Sequence, residues 1–329
     1  ITDLTMVVNN RQWLFPRIHP QYTVALLAYQ RNPVSDHHVC LQGPYSSREE
    51  LLDGTSNDSL VSVFLADEVV RWADNCALPL LPDAASLPVF SQLRRHPGLS
   101  DAQEGWQFQP TRELHTSDNK SLFDFNLESP ATSNTLPIWT GRTFNIWEPG
   151  SGSPYAFANP EEVVPFLNER RRRSAARRET AFKGLAGSSL DDPDSLPLWS
   201  PRIAFRDVTN RTNSRTMVCC LIPPGVALVE VAPFLLRQRG SEEDEAYLLG
   251  VLSSIPFDWY ARRFVELHMK YGLLRGMPVP RPLDNSPLRK RVILNAGRLA
   301  AVDQTFADWA GHVGVPVSSV NTPEERDDL

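Results

Sequence analysis

Residues 202–222 read RIAFRDVTNRTNSRTMVCCLI, and this stretch decides the fold class. Residues 202–208 alternate as a strand does, and 217–222 form an apolar run stopped by Pro223, Pro224 and Gly225. Short runs bounded by turn formers read as strands, here two strands about a polar turn. A further strand is expected at 226–231. Helices then follow at 242–253, led by acidic residues, and at 257–267. The segment 277–282, Met-Pro-Val-Pro-Arg-Pro, is extended, because proline in that rhythm forbids a helix. A last amphipathic helix is expected at 288–309. Separate runs of strands and helices make an α+β chain.

Working back toward the N-terminus, 106–108, 138–139 and 144–147 alternate, with Pro and Gly about every 8 to 12 residues, which suits short antiparallel strands. A long helix is predicted at 161–183. Asn159 caps it, Pro160 opens it, and Glu161 and Glu162 suit its positive end. Helices are also expected at 67–73 and at 85–95, the latter with Val89, Phe90 and Leu93 on one side and Pro97 and Gly98 as the stop. Residues 60–64 read as a short strand, and 34–60 as a polar loop. Residues 4–8 and 22–29 read as strands, the second an apolar run buried on both faces. Two strands do not make a domain, so they are expected to be the last hairpin of a larger sheet. The chain opens on Ile1 and not on Met, which leads us to expect a processed, truncated or split piece.

The 329 residues are 41% hydrophobic and 22% charged, the range of a folded protein and not of a disordered one. No run is apolar for long enough to span a membrane. The four cysteines (Cys40, Cys76, Cys219, Cys220) include no C-x-x-C pair, which excludes a disulfide scaffold and fits a reducing cytoplasm. The net charge is −6, but it is uneven. Residues 161–183 hold seven basic and four acidic residues, and 262–291 hold eight and two. An acidic protein with basic islands can meet a polyanion through one face.

Several chemistries lack their residues. There is no phosphate loop, no dinucleotide fingerprint, no nucleophile elbow, no H-E-x-x-H and no D…E-x-K nuclease arrangement. His37 and His38 are adjacent and lie in a polar stretch, so they do not converge on one metal. His115 and His268 are single, and Cys219 and Cys220 read as small core residues. No catalytic residue and no metal site is expected.

An ordered set of segments resembles the C-terminal part of adenine-N6 DNA methyltransferases of restriction-modification and phage-defence systems, the Eco57I-like and TaqI-like methylases and those of BREX and DISARM. Residues 204–217, Ala-Phe-Arg-Asp-Val-Thr-Asn-Arg-Thr-Asn-Ser-Arg-Thr-Met, resemble that family's target-recognition segment, R-D-[IV]-[TA]-x-x-T-[ND]-x-R-T. Residues 248–254 resemble its L-L-x-x-L-N-S helix, 257–263 its x-D-[WY]-x-x-R-x segment, and 277–282 its L-P-V-P-x-P exit. Upstream, 136–144 and 112–120 resemble two further family stretches. The family's S-adenosylmethionine loop and its Asn-Pro-Pro-Tyr motif are missing. Asn159-Pro160-Glu161 and Asn32-Pro33-Val34 do not replace that motif, lacking the second proline and the aromatic that stacks on a flipped base.

The resemblance implies double-stranded DNA as partner and a methyltransferase catalytic domain or subunit beside it. S-adenosylmethionine belongs to the parent enzyme, and this chain itself carries no cofactor. It further implies a mixed recognition domain at 86–287, preceded by a hairpin remnant of the catalytic sheet (1–33) and a connector (34–85), and followed by a C-terminal helix and acidic tail (288–329). Phosphate contacts are expected from Arg170, Arg171, Arg173 and Arg177. Base-edge contacts are expected from Arg206, Arg211, Asn213 and Arg215 in the polar turn, where Arg suits guanine and Asn adenine. Arg206 with Asp207 reads equally as a structural salt bridge. Arg142 is a further candidate, and Arg262, Arg263, His268, Lys270 and Arg275 would line the same cleft. Two other readings stay open. One is a subunit that completes a split methyltransferase. The other is a scaffold of a defence complex that does not bind DNA.

Overall fold

The computed structural model describes residues 1–31, 38–53, 60–65, 68, 78–101, 105–126, 135–178, 180–185, 190–320, 322–327 and 329. The helix expected at 67–73, apart from Glu68, and Asn32, Pro33, Val34, His37 and Cys76 lie outside these residues. The chain is α+β, with three small sheets and helices among and after them.

The first sheet holds β1 (Asp3–Val8), β2 (Thr23–Ala28), β3 (His38–Tyr45) and β4 (Val61–Leu65), in the order β2-β1-β3-β4. β1 and β2 form the expected antiparallel hairpin, from Asp3↔Ala28 to Val8↔Thr23. Asn9 closes its connection. It is fully buried, and its side chain accepts from Leu14 N and Phe15 N and donates to Phe15 O and Ile18 O. A buried amide with every group matched holds an irregular segment as firmly as a ladder does.

Two expectations for this region fail. The 34–60 segment is not all loop: β3 runs parallel to β1, and after α1 (Arg48–Asp53) β4 pairs antiparallel with β3. Nor is β2 buried on both faces. It is an edge strand, with Leu26 48% and Leu27 53% exposed, because no second layer covers its outer half among the described residues.

The second sheet is antiparallel, β5-β11-β8-β9, built from β5 (Gln107–Thr111), β11 (Phe234–Arg239), β8 (Arg202–Phe205) and β9 (Cys219–Ile222). β8 and β9 are the strands read from 202–222. β11, which the sequence reading lacks, sits between β5 and β8. The third sheet is β10-β6-β7, from β6 (Leu136–Trp139), β7 (Ala156–Ala158) and β10 (Ala227–Leu228). Residues 144–147 are not a strand: Asn145 and Glu148 bridge each other across a turn, with Trp147 at φ +61°.

Among the described residues the further α-helices are α2 (Ser86–Arg94), α3 (Pro160–Ala175), α4 (Glu242–Leu252), α5 (Ile255–Ala261), α6 (Tyr271–Gly276), α7 (Pro287–Ala300), α8 (Ala307–Val313) and a short α9 (Pro323–Asp327). Asn159 caps α3 as expected, but the helix stops eight residues before 183. The helix expected at 288–309 is two, α7 and α8, because Asp303 turns the chain by accepting from Thr305 N. α4 lies so close on α7 that a side chain at Gly250 would meet Val292 at 2.8 Å. A capping box, Ser241 with Asp244, starts α4. One apolar cluster joins the first two sheets to the C-terminal helices, from Leu4 and Phe64 through Phe205 and Leu235 to Trp309 and Val315, while the third sheet and α3 pack in separate clusters around Ile138, Val163 and Leu228.

Candidate nucleic-acid interface

The polar turn after β8 was the expected reader of bases. Its chemistry instead turns inward. Asp258 on α5, 4% exposed, accepts from Thr216 N and Met217 N, both at 2.7 Å, and from Arg262 Nε at 2.7 Å. Arg262 reaches on to Arg211 O and Ser214 O. Arg215 donates to Ser253 O and Ser254 O and lies 3.6 Å from Asp258. Thr209 Oγ1 donates to Thr216 O, and Asn213 leans on Thr209 Oγ1 at 3.4 Å. The D-x-x-x-R spacing puts Asp258 and Arg262 one helical turn apart on α5, so a single face holds both ends of the turn. The other segments of the resemblance lock in the same way. Glu113 pairs with buried Arg202 at 2.9 Å and accepts from Leu228 N, and Arg281 stacks on Trp106 at 3.6 Å.

Most of the expected contact residues are therefore engaged with protein. Arg171 is 3% exposed and donates to Ser195, Asn168, Leu190 and Asp192, so it cannot touch a phosphate. Burial also holds its pKa below the usual arginine value. Arg206 donates to Phe144 O, not to Asp207, and Asp207 pairs with His268 at 2.7 Å. Arg211 donates to Thr23 Oγ1 and Gln21 O and ties the turn to the first sheet. Arg263 donates to Trp259 O and Leu80 O and covers the Trp259 ring at 4.7 Å. Arg173 is exposed but pairs with Glu169. Arg142, Arg177, Asn213 and Lys270 are exposed, and Arg170 is half-buried.

A different set of residues converges. β5 alternates, so Phe108 enters the core while Gln107 and Gln109 face outward. Gln238 on β11 joins them and donates to Ala181 O at 2.5 Å. These three amides line a cleft of about 470 Å³ with Ser100, Asp101, Thr180, Lys183 and Arg275. Asp101 is engaged by Gly98 N at 2.6 Å. Tyr271, the first residue of α6, has the charges of Arg112, Asp207, Arg170 and Arg275 around its phenol. Burial pushes that phenol up to about 12, against the pull of those arginines, so it stays a neutral donor. Burial, then the charge of Arg112, depresses Arg170. Lys183, Arg112, Arg170 and Arg275 have no side-chain hydrogen bond or ion pair among the described residues, and Arg275 Nε is buried without a partner.

Of the expected residues only Arg275 lines this cleft; Arg170 and Arg171 line a separate small cavity with Arg112 and Glu113. Gln107, Gln109, Gln238 and Lys183 are additions. The alternation at 106–108 was the signal that could have found the glutamines, as polar positions on a half-buried strand. Cys219 and Cys220 are core residues, the Cys219 thiol pushed up to about 12 by burial. Among the described residues no cluster of three His, Cys, Asp or Glu could hold a metal, and no helix is long and apolar enough to cross a membrane. No family model and no curated protein matches the chain.

Proposed function

We propose that the protein is a double-stranded DNA recognition module, the target-reading part of a site-specific adenine-N6 methyltransferase of restriction or phage defence, acting in the cytoplasm. One observation carries the reading: three glutamine amides share one cleft with two cations, Lys183 and Arg275, whose side chains make no hydrogen bond or ion pair among the described residues. Glutamine matches the N6 and N7 edge of adenine with two hydrogen bonds, each good pair being worth ~1–3 kcal/mol of discrimination. Arginine and lysine hold phosphates and fix register. A polar floor on a sheet, flanked by the charges of Lys183 and Arg275, suits a duplex groove better than a small apolar ligand, which needs a mostly apolar pocket. The methyl donor, S-adenosylmethionine, and the chemistry on the base fall to a catalytic domain or subunit.

The test is duplex binding across a salt series with a random-sequence pool. Affinity should fall steeply with salt, and one short motif should be enriched. Absence of binding at low salt would overturn the reading and leave the scaffold alternative. A second reading, a subunit that completes a split methyltransferase, is favoured by the exposed apolar edge strand β2. Co-purification with a separate catalytic subunit, lost on Leu27→Lys, distinguishes it.

A further inference from the structure

A second cleft, of about 360 Å³, opens where the first sheet meets the polar turn. Met6 and Thr23 form one wall, and Arg211, Arg263 and Lys270 bring three cations against one carboxylate, Glu266. Glu266 Oε1 is already engaged by Thr23 N at 2.7 Å. The neighbouring Arg262 pairs with Asp258, whereas among the described residues Arg211, Arg263 and Lys270 make no ion pair, with Glu266, Asp83 and Asp258 acting on Arg211 and Arg263 only at longer range. Arg263 uses Nε and Nη1 on Trp259 O and Leu80 O, which leaves Nη2, while Arg211 keeps Nε and Lys270 its whole ammonium. Burial first, then the charges of Arg262 and Arg211, lowers Arg263 to about 10, against the pull of Asp83 and Asp258.

From this juxtaposition we infer that the Arg211–Arg263–Lys270 cleft is a phosphate site, occupied by a backbone phosphate of bound DNA. The occupant, though not the site, rests on the DNA reading above. A doubly or singly charged oxyanion supplies both the negative charge and the acceptors that the three cations lack. Position supports a backbone phosphate over a free one. Lys270, Gly272 and Leu273 line this cleft, while Arg275, on the same short helix α6, lines the glutamine cleft. A strand crossing α6 would meet the cations on one side and the amides on the other.

The experiment follows the Arg263 Nε–H resonance by NMR in the full chain, first with inorganic phosphate and then with a duplex pool. Phosphate should shift the resonance saturably, and the exposed Lys270→Gln should weaken that titration about three-fold or more. The duplex should shift it at far lower concentration, and Lys270→Gln should reduce the salt slope of duplex binding by about one phosphate contact. Arg263→Lys, which keeps the charge, should retain the salt slope. A resonance unmoved by phosphate and by duplex overturns the site. A shift with phosphate alone, in a chain that binds duplex elsewhere, overturns the DNA occupant. A chain that binds no duplex fails the DNA reading, and the phosphate titration still decides the site.

Discussion

Replacing Asp258 by alanine should loosen the turn that carries the clearest family-like motif. The carboxylate is 4% exposed and meets three donors at 2.7 Å, two of them backbone N–H groups of Thr216 and Met217. Alanine leaves those two N–H groups buried without acceptors, at about 1–3 kcal/mol each. It also strips Arg262 of its counter-charge, and breaking a partly buried pair from one side costs about 3–5 kcal/mol. These terms overlap, so the expected loss is about 3–5 kcal/mol in all. Urea unfolding followed by tryptophan fluorescence measures it. Asp258→Asn keeps an oxygen for the two N–H groups and loses only the charge, so about 1–3 kcal/mol is expected. A loss under about 1 kcal/mol for the alanine variant would refute the view that Asp258 holds this turn.

Glu245 is 2% exposed, and burial raises it to about 7, against the pull of Arg237 and the hydrogen bond from Trp309. The folded chain keeps this proton where the unfolded chain has lost it, so stability falls as pH rises from the unfolded value toward 7, by about 3 kcal/mol at most. Glu245→Gln should remove that decline and be the more stable protein at pH 8, as urea midpoints at pH 5 and pH 8 would show. Arg171→Met should cost about 3 kcal/mol in unfolding yet leave the salt slope of duplex binding unchanged. Gln107→Ala with Gln109→Ala should change the enriched motif by about 1–3 kcal/mol per lost base contact while leaving stability within about 0.5 kcal/mol, read from pool selection and thermal melts.

How far the sequence could be read depends on what kind of fact was asked of it. The β8 and β9 pair announced itself, since alternation and a Pro-Pro-Gly stop are local features. The start of α3 did too, because cap, proline and acids sit within four residues. β2 misled because an apolar run records what a strand offers and not whether anything covers it. β3 was lost because its sequence, HVCLQGPY, mixes Gln, Gly and Pro into an alternating strand. β11 was lost because its second half, Arg237-Gln238-Arg239, reads as loop. The partners of the turn arginines were hidden for a longer-range reason. Arg211 meets Gln21 O across 190 residues, and no local pattern says which carbonyl will arrive beside a guanidinium. The outward glutamines of β5 were visible as alternation, but their company with Arg275 and Lys183 exists only after folding.

The uncovered edge of β2 has a consequence for handling the protein. Its outer row of N–H and C=O groups faces no ladder among the described residues, and Leu26, Leu27 and Tyr29 stand beside it, the last 80% exposed. An open strand accepts the first extended chain that comes near, so copies of this protein will add to one another as concentration rises. Its shelf life should thus be set by how often two molecules meet, and a single lysine at Leu26 should lengthen it more than any change in the core.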